Sequence, residues 1–298
     1  MNALAQIRDR AKVMALRVLS SMRQRAIGPY SLAVLAKTEN GLLLTPAGDL
    51  MIGRRLCFNG CYDPELVNVL LNQCTSGSEV LFVGAHVGAL VIPVARKVRR
   101  VVAIEANPAT FELLRTNVHL NGLTNIELHN FAAGNSNGEV RFLANLLNSG
   151  GSGLAIGEWG HWAYTYDRPT SVTVQMKRLD DVFPEDRFDL IVMDIEGAEV
   201  LALEAMPNLL QRSKGLLVEV FEDHLRQVAK VTDDEFLSPI SQFYDEARIL
   251  PEKPRKGEAI ATHAYSRAAF RQMMRDCCKL RTANVMFWKG HALNCSTD

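Results

Sequence analysis

Three short segments put chemically capable residues where a strand gives way to a loop. They read Val80-Leu81-Phe82-Val83-Gly84-Ala85-His86-Val87-Gly88, Val101-Val102-Ala103-Ile104-Glu105-Ala106-Asn107, and Phe188-Asp189-Leu190-Ile191-Val192-Met193-Asp194-Ile195-Glu196-Gly197-Ala198-Glu199. Gly84 and Gly88 let the backbone turn sharply from strand to helix, which presents amide hydrogens and a helix amino end to a polar ligand. Glu105 closes the next strand, 21 residues beyond Gly84. There a carboxylate can accept hydrogen bonds from both hydroxyls of a ribose, as in dinucleotide folds. Bonds of that charge-assisted kind contribute on the order of 1.5 to 3 kcal/mol each. The ligand so implied contains a nucleoside. A nicotinamide fingerprint, G-x-G-x-x-G, would need glycine at position 86, where His86 stands.

The third segment carries Asp194, Glu196 and Glu199. One reading makes Asp194 and Glu196 proton acceptors or, with Glu219, oxygen ligands of a divalent cation, although nothing in their spacing requires a metal. The other reading is structural: Asp194 caps the following helix, and Glu196 and Glu199 lie in its first turn, where negative charge favours the helix dipole. Trp159, His161, Trp162 and Tyr164 gather in a Gly/Ser-rich stretch and could contact a substrate, or could pack locally. His224 shows no partner in the sequence and is expected at the surface. The six cysteines are scattered, and Pro64 breaks the C-x3-C-x2-C pattern that Cys57 and Cys61 would begin, so reduced thiols are expected.

The elements that must hold these residues alternate strand and helix. Strands are expected over residues 79–84, 101–105, 125–132, 171–176, 188–194 and 214–221, with helices over 88–97 and 108–121. An extra strand is expected at 138–143 and a last one from Asn284 to Trp288. Such an order makes an α/β fold, a mostly parallel sheet flanked by helices. Residues 144–170 break every period, and an insertion of that length often forms a lid or binding loop. Before the core, Leu4, Ile7, Ala11, Met14, Val18 and Met22 recur at helical spacing among arginines and a lysine, an amphipathic helix that Gly28-Pro29 ends. That helix could lie on a membrane surface, a partner or a second copy of the chain, or dock on its own domain. Asn40-Gly41 suits a hairpin turn, and Asp63-Pro64 opens a helix with a cap and a first-turn proline. Residues 1–60 thus read as an extension of helix and hairpin, and 61–298 as the main domain.

A chain of 298 residues, 48% of them hydrophobic, can bury a full core. Lys plus Arg and Asp plus Glu number 33 each, so no global basic field gathers nucleic acid. No stretch approaches the roughly 18 to 20 apolar residues of a membrane span, and the amino terminus lacks the order of a secretory signal. A cytoplasmic location is the simplest expectation.

Taken in order and spacing, these motifs resemble the FkbM-type methyltransferase family, a branch of the class I methyltransferases. The resemblance rests on the G-x-H-x-G loop from Gly84 to Gly88 and on Ile104-Glu105-Ala106-Asn107-Pro108 with Phe111 and Asn117 to Asn121. Leu179-Asp180-Asp181, Asp194-Ile195-Glu196-Gly197-Ala198-Glu199 and Val218-Glu219-Val220 complete it. It covers roughly residues 60–220, with a weaker echo from Asn284 to Lys289.

The resemblance implies a Rossmann-like, seven-stranded sheet and methyl transfer from S-adenosylmethionine to an oxygen, commonly a hydroxyl of a small molecule such as a sugar or natural product. By position, Gly84, Ala85, His86 and Gly88 would line the methionine part, Glu105 would hold the ribose, and Asn107 with Asn130-Phe131-Ala132 would border the adenine. Asp194 would face the sulfonium and the acceptor. The expected proton acceptor is Asp194, with Glu196 and His86 also within reach of that edge. Two positions depart from the family: Phe82 replaces a usual acid two places before the first glycine, and Val192 replaces a usual lysine two places before the aspartate. Those departures keep open a catalytically silent binding protein of the same fold. An NAD-dependent oxidoreductase is the third alternative.

Overall fold

The computed structural model describes residues 3–156, 169–251, 264–280 and 282–290, with side chains from residue 14 onward. The chain begins with helix α1 (Ala3–Ile27), strands β1 (Ala33–Thr38) and β2 (Gly41–Pro46), and helices α2 (Ile52–Asn59) and α3 (Pro64–Gln73). There follow β3 (Glu79–Val83), α4 (Val91–Ala95), β4 (Arg100–Ile104), α5 (Pro108–Leu120), β5 (Ile126–His129), β6 (Ala132–Ala133), β7 (Gly138–Ala144), β8 (Gly153–Leu154) and β9 (Thr170–Lys177). The last part holds α6 (Leu179–Val182), β10 (Leu190–Met193), α7 (Glu199–Glu204), α8 (Pro207–Arg212), β11 (Gly215–Phe221), a π-helix (His224–Ala229), α9 (Asp233–Ser241), β12 (Glu246–Pro251), β13 (Tyr265–Ser266), α10 (Phe270–Leu280) and β14 (Thr282–Trp288).

The main sheet runs β13-β12-β14-β11-β10-β3-β4-β5. The expected count of seven is thus only approximate: the sheet has eight strands, of which β12 and the two-residue β13 were not among those expected. Parallel pairing links β5, β4, β3, β10 and β11, while β14 pairs antiparallel with both β11 and β12. The sheet is therefore mostly parallel, with β14 and β13 running against the rest. Its central strands are buried on both faces, which is why Val80 to Val83 and Leu190 to Met193 read as unbroken apolar runs rather than alternating ones. One core lies on the face carrying Leu81, Val102, Ile191 and Val218, the other on the face carrying Val80, Phe82, Val101 and Val192.

The expectation that residues 171–176 rejoin the main sheet does not hold. Strand β9 belongs to a separate four-stranded sheet, β6-β9-β7-β8, in which it pairs antiparallel with β7. The single strand expected over 125–132 is likewise two, because Asn130 turns its side chain back to donate to the carbonyls of Glu105 at 2.8 Å and Ala106 at 3.2 Å. After that break Phe131 leads β6 into the second sheet. The helix expected over 88–97 is shorter, since residues up to Leu90 remain in the glycine turn.

The hairpin and the cap do form as read. Strands β1 and β2 pair antiparallel from Ala33↔Pro46 to Thr38↔Gly41, and the Asp63 carboxylate accepts from the Leu66 amide at 3.1 Å ahead of Pro64. Two asparagines one turn apart on α5 bind the hairpin to the core. Asn117 accepts from the Leu44 amide at 2.6 Å and donates to its carbonyl at 3.0 Å, and Asn121 does the same for Leu42 at 3.1 and 2.8 Å. Each side chain thereby pairs with β2 as a further strand would. Helix α1 leans on this unit through Ser20, which donates to the Gly48 carbonyl at 3.1 Å, and Arg23, which donates to that of Asp49 at 2.7 Å. Met14, Val18, Leu19 and Met22 remain exposed. Among the described residues no helix is long and apolar enough to cross a membrane.

Candidate active site

The carboxyl ends of β3, β4, β10 and β11 open on one cavity, and its lining joins the two groups of residues that the sequence set apart. Gly84, Ala85, His86, Glu105, Ala106 and Phe131 line it together with Asp194, Glu196 and Glu219. That is the edge along which open α/β sheets bind ligands.

Gly84 has φ +91°, and its amide and that of Ala85 both donate to the Ile104 carbonyl, at 3.0 and 2.9 Å. His86 follows in the left-handed region at φ +48°. Its amide donates to one oxygen of Glu105 at 2.8 Å, while the Asn107 amide donates to the other at 2.8 Å. One buried carboxylate therefore ties the loop after β3 to the loop after β4. Burial pushes its pKa up to about 7, against the opposing pull of the backbone amides of Asn107, His86 and Ala106. An ionised carboxylate has about four acceptor sites, so accepting these amides leaves capacity for further donors.

His86 is held by a chain of buried polar groups that sequence spacing does not reveal. Its Nε2 lies 2.7 Å from Ser149 Oγ, and Ser149 in turn hydrogen-bonds the carboxylate of Asp49. Asp49 also accepts from the amides of Met51 at 2.7 Å and Gly53 at 3.2 Å. The serine proton goes to the carboxylate, so Nε2 of His86 carries its hydrogen and donates to Ser149, leaving Nδ1 as an acceptor. Burial lowers the imidazole pKa to about 4, and the ring is neutral at ordinary pH.

Asp194 does not cap the next helix. The N-cap of α7 is Ala198, with no side-chain cap, and Asp194 is exposed on the cavity wall. The loop between them is shaped by Glu199, whose buried carboxylate accepts from the amides of Ile195 at 3.1 Å and Gly197 at 3.0 Å. Burial pushes Glu199 up to about 7 as well. Within that loop Glu196 sits at φ +55°, and its carboxylate meets Nε2 of His224 at 3.2 Å. His224 is thus not the surface residue its isolation in the sequence suggested: it is 4% exposed, its ring edge-on to Phe221 at 4.4 Å. His224 opens a π-helix, whose register no apolar period announces.

Other expected residues stand elsewhere. Asn107 caps α5, accepting from the Ala109 amide at 3.1 Å, and neither it nor Gly88 lines the cavity. Trp159, His161, Trp162 and Tyr164 lie outside the described residues. Arg55 and Tyr62 are wall residues that the sequence gave no reason to choose. The Tyr62 phenol is held above its ordinary pKa first by burial and then by the charges of Asp194 and Glu219.

The two departures from the family pattern are neighbours. Phe82 and Val192 are register partners on adjacent parallel strands, share one hydrophobic cluster and both line the cavity. Where an acid and a lysine would stand side by side, an apolar pair stands instead.

The family model described as Methyltransferase FkbM domain matches residues 83–252, more than half of the chain. A probable ribosomal RNA small subunit methyltransferase A of Methanosphaera stadtmanae is 32% identical over 72 residues, 24% of this chain and 27% of that protein. Among solved structures, methyltransferase FkbM from Methylobacillus flagellatus KT aligns at 16% identity and TM-score 0.44, covering 72% of this chain and 44% of that one. M. jannaschii TYW2 in complex with AdoMet aligns at 14% identity and TM-score 0.42, covering 87% of each. The chain spans about a quarter of the curated relative's length and less than half of that FkbM structure's.

Proposed function

The chain belongs to the FkbM methyltransferase family, and from that premise we propose that it transfers a methyl group from S-adenosylmethionine to a hydroxyl oxygen of a small acceptor, of the sugar or natural-product kind. The observation that carries the reading is that the Glu105 carboxylate lines one cavity with the Gly84 to His86 turn and with Asp194 and Glu196. A nucleoside donor and a hydroxyl acceptor would meet between them.

The donor fits these residues. Glu105 retains acceptor capacity beyond its two amide bonds, and at Gly84 the cradle has no room for a side chain. When bound, S-adenosylmethionine supplies a methyl carbon made electrophilic by sulfonium. The protein's part is placement and proton removal. Glu105 would accept the ribose hydroxyls, neutral His86 would offer Nδ1 as an acceptor, and Phe131 would border the base. Asp194 would take the acceptor's proton as the oxygen-to-carbon bond forms and the carbon-to-sulfur bond breaks. The apolar pair Phe82 and Val192 would leave the donor's amino group to other partners.

Calorimetric titration with S-adenosylmethionine, S-adenosylhomocysteine and NAD tests the reading. The first two are expected to bind and NAD to fail, with Glu105→Ala abolishing binding. Asp194→Asn is expected to keep binding and lose turnover. Preference for NAD, or no nucleoside binding, would reject the proposal; binding without turnover on any hydroxyl acceptor would favour the silent protein.

A further inference from the structure

We propose that Glu196, Glu219 and Nε2 of His224 bind one divalent metal ion of the manganese, iron or zinc class at the acceptor wall of the cavity. One ligand atom from each of the three residues lies within 4.8 Å of the others. Glu196 and His224 are already 3.2 Å apart. Two ligands held at about 2.0 to 2.2 Å from one ion, at angles between octahedral and tetrahedral, stand roughly 3 to 3.5 Å from each other. That edge therefore has the separation of two ligands on a common ion, and Glu219 brings a carboxylate oxygen within 4.8 Å of both.

The histidine distinguishes this group from a cluster of surface acids. His224 is nine-tenths buried, sits at the first turn of the π-helix and points its Nε2 toward the cavity carboxylates. Short π-helical segments occur often at functional sites. On the other side, Glu196 holds a left-handed backbone, at φ +55°, that residues with side chains rarely adopt. It is fixed there by the Glu199 bonds and by Gly197 at φ +99°, where a Cβ would lie 2.9 Å from Val228. Both ligands thus come from preset backbone.

Charge argues the same way. The described lining residues of the cavity carry four carboxylates, Glu105, Asp194, Glu196 and Glu219, against the guanidinium of Arg55. A sulfonium donor offsets one negative charge and a divalent ion two more. Imidazole nitrogen suits zinc and iron and the two carboxylates suit manganese, whereas one nitrogen among the ligands disfavours the hard ions magnesium and calcium. The ion's role, lowering the pKa of a coordinated acceptor hydroxyl so that Asp194 can remove its proton, rests on the methyl-transfer reading. Its binding does not.

Manganese is the probe, since exposed Cys57 would draw zinc to thiolate. The full chain, treated with chelator and dialysed, is titrated with Mn2+ and followed by electron paramagnetic resonance without donor present. One saturable Mn2+ per chain is expected, with Glu219→Gln and His224→Asn each weakening it by about tenfold or more. Circular dichroism and S-adenosylhomocysteine titration of the same variants check that fold and donor site persist. Electron spin-echo modulation of the wild-type complex should show nitrogen coupling from a directly bound imidazole, which needs no variant to fold. Absence of saturable binding, undiminished binding in both variants, or absence of that coupling would each overturn the site and leave Glu196 and His224 a plain hydrogen-bonded pair. Failure of donor binding with manganese bound would sink the methyl-transfer reading alone.

Discussion

The main-chain carbonyl oxygen of Asp194 lies 1.8 Å from where a Cβ at residue 84 would begin, so the ends of β3 and β10 touch through the bare α-carbon of Gly84. The conflict is with backbone, which cannot swing aside as a flexible side chain can. Gly84 also has φ +91°, a region other residues rarely adopt. The glycine is therefore required by the approach of two strands, and the room it leaves for a ligand is a consequence.

Gly84→Ala is accordingly expected to destabilise the protein by about 3 kcal/mol or more, combining overpacking with backbone strain. Urea denaturation measures it. A loss under about 1 kcal/mol would mean the strand ends part easily, and the cradle would not be rigid.

Glu105 gives a pH dependence with a defined sign. Its pKa rises from 4.5 to about 7 in the folded protein because the carboxylate is buried. The folded state therefore keeps a proton that the unfolded chain has released, and this contribution to stability, on the order of 3 kcal/mol, is present below pH 4.5 and lost as pH rises through 7. Donor binding should run the other way, since ribose hydroxyls donate to the ionised form. The affinity for S-adenosylhomocysteine is expected to rise between pH 6 and 8 and then level off. Glu105→Gln should bind weakly and without that rise; a pH-independent affinity in the wild type would remove Glu105 from ribose binding.

How much of this was legible in the sequence follows from which interactions are local. The strand ends at Gly84, Glu105 and Asp194 were readable because apolar runs, glycine turns and an acid at the next strand end are short-range signals. The cap at Asp63 was readable for the same reason. Several residues that carry the family resemblance prove structural: Asn107 caps α5, Asp180 caps α8 through the amides of Asn208 and Leu209, and Asn117 and Asn121 hold β2. A motif shows that a residue matters without saying for what. Asp49, Ser149, Arg55, Tyr62 and His224 were missed or misread because their roles arise from chain segments brought together over long separations, Ser149 meeting Asp49 across 100 positions. The second sheet was missed because β7 and β9 have ordinary strand patterns, and nothing local tells which sheet a strand joins.

The Asp49, Ser149 and His86 chain fixes a tautomer. With the Ser149 hydroxyl donating to Asp49, His86 must carry its hydrogen on Nε2. Nitrogen magnetic resonance is expected to show that neutral tautomer unchanged from pH 5 to 8, since burial holds the pKa at about 4. Ser149→Ala should leave Asp49 and His86 each short of a buried partner, costing about 1 to 3 kcal/mol and mixing the tautomers. A wild-type ring protonated on Nδ1 would show that the proton runs the other way along the chain.

Phe82 and Val192 look like two separate losses in the sequence, but their register makes them one exchange. They are partners on adjacent strands and pack in the same cluster. Replacing a buried ion pair by apolar residues of similar volume is often neutral or stabilising, whereas removing one member strands a charge at a cost of about 3 to 5 kcal/mol. The same asymmetry should appear in reverse. Phe82→Asp and Val192→Lys, made singly, each bury a charge at 2% and 4% exposure and should destabilise, Phe82→Asp the more because it adds to the carboxylates of the same cavity. The double variant should recover at least about 1 kcal/mol of the summed loss, because the two new charges meet. A double-mutant cycle by urea denaturation measures that coupling directly. Strict additivity would mean that the side chains do not communicate across the strands, and the two departures would again be independent losses.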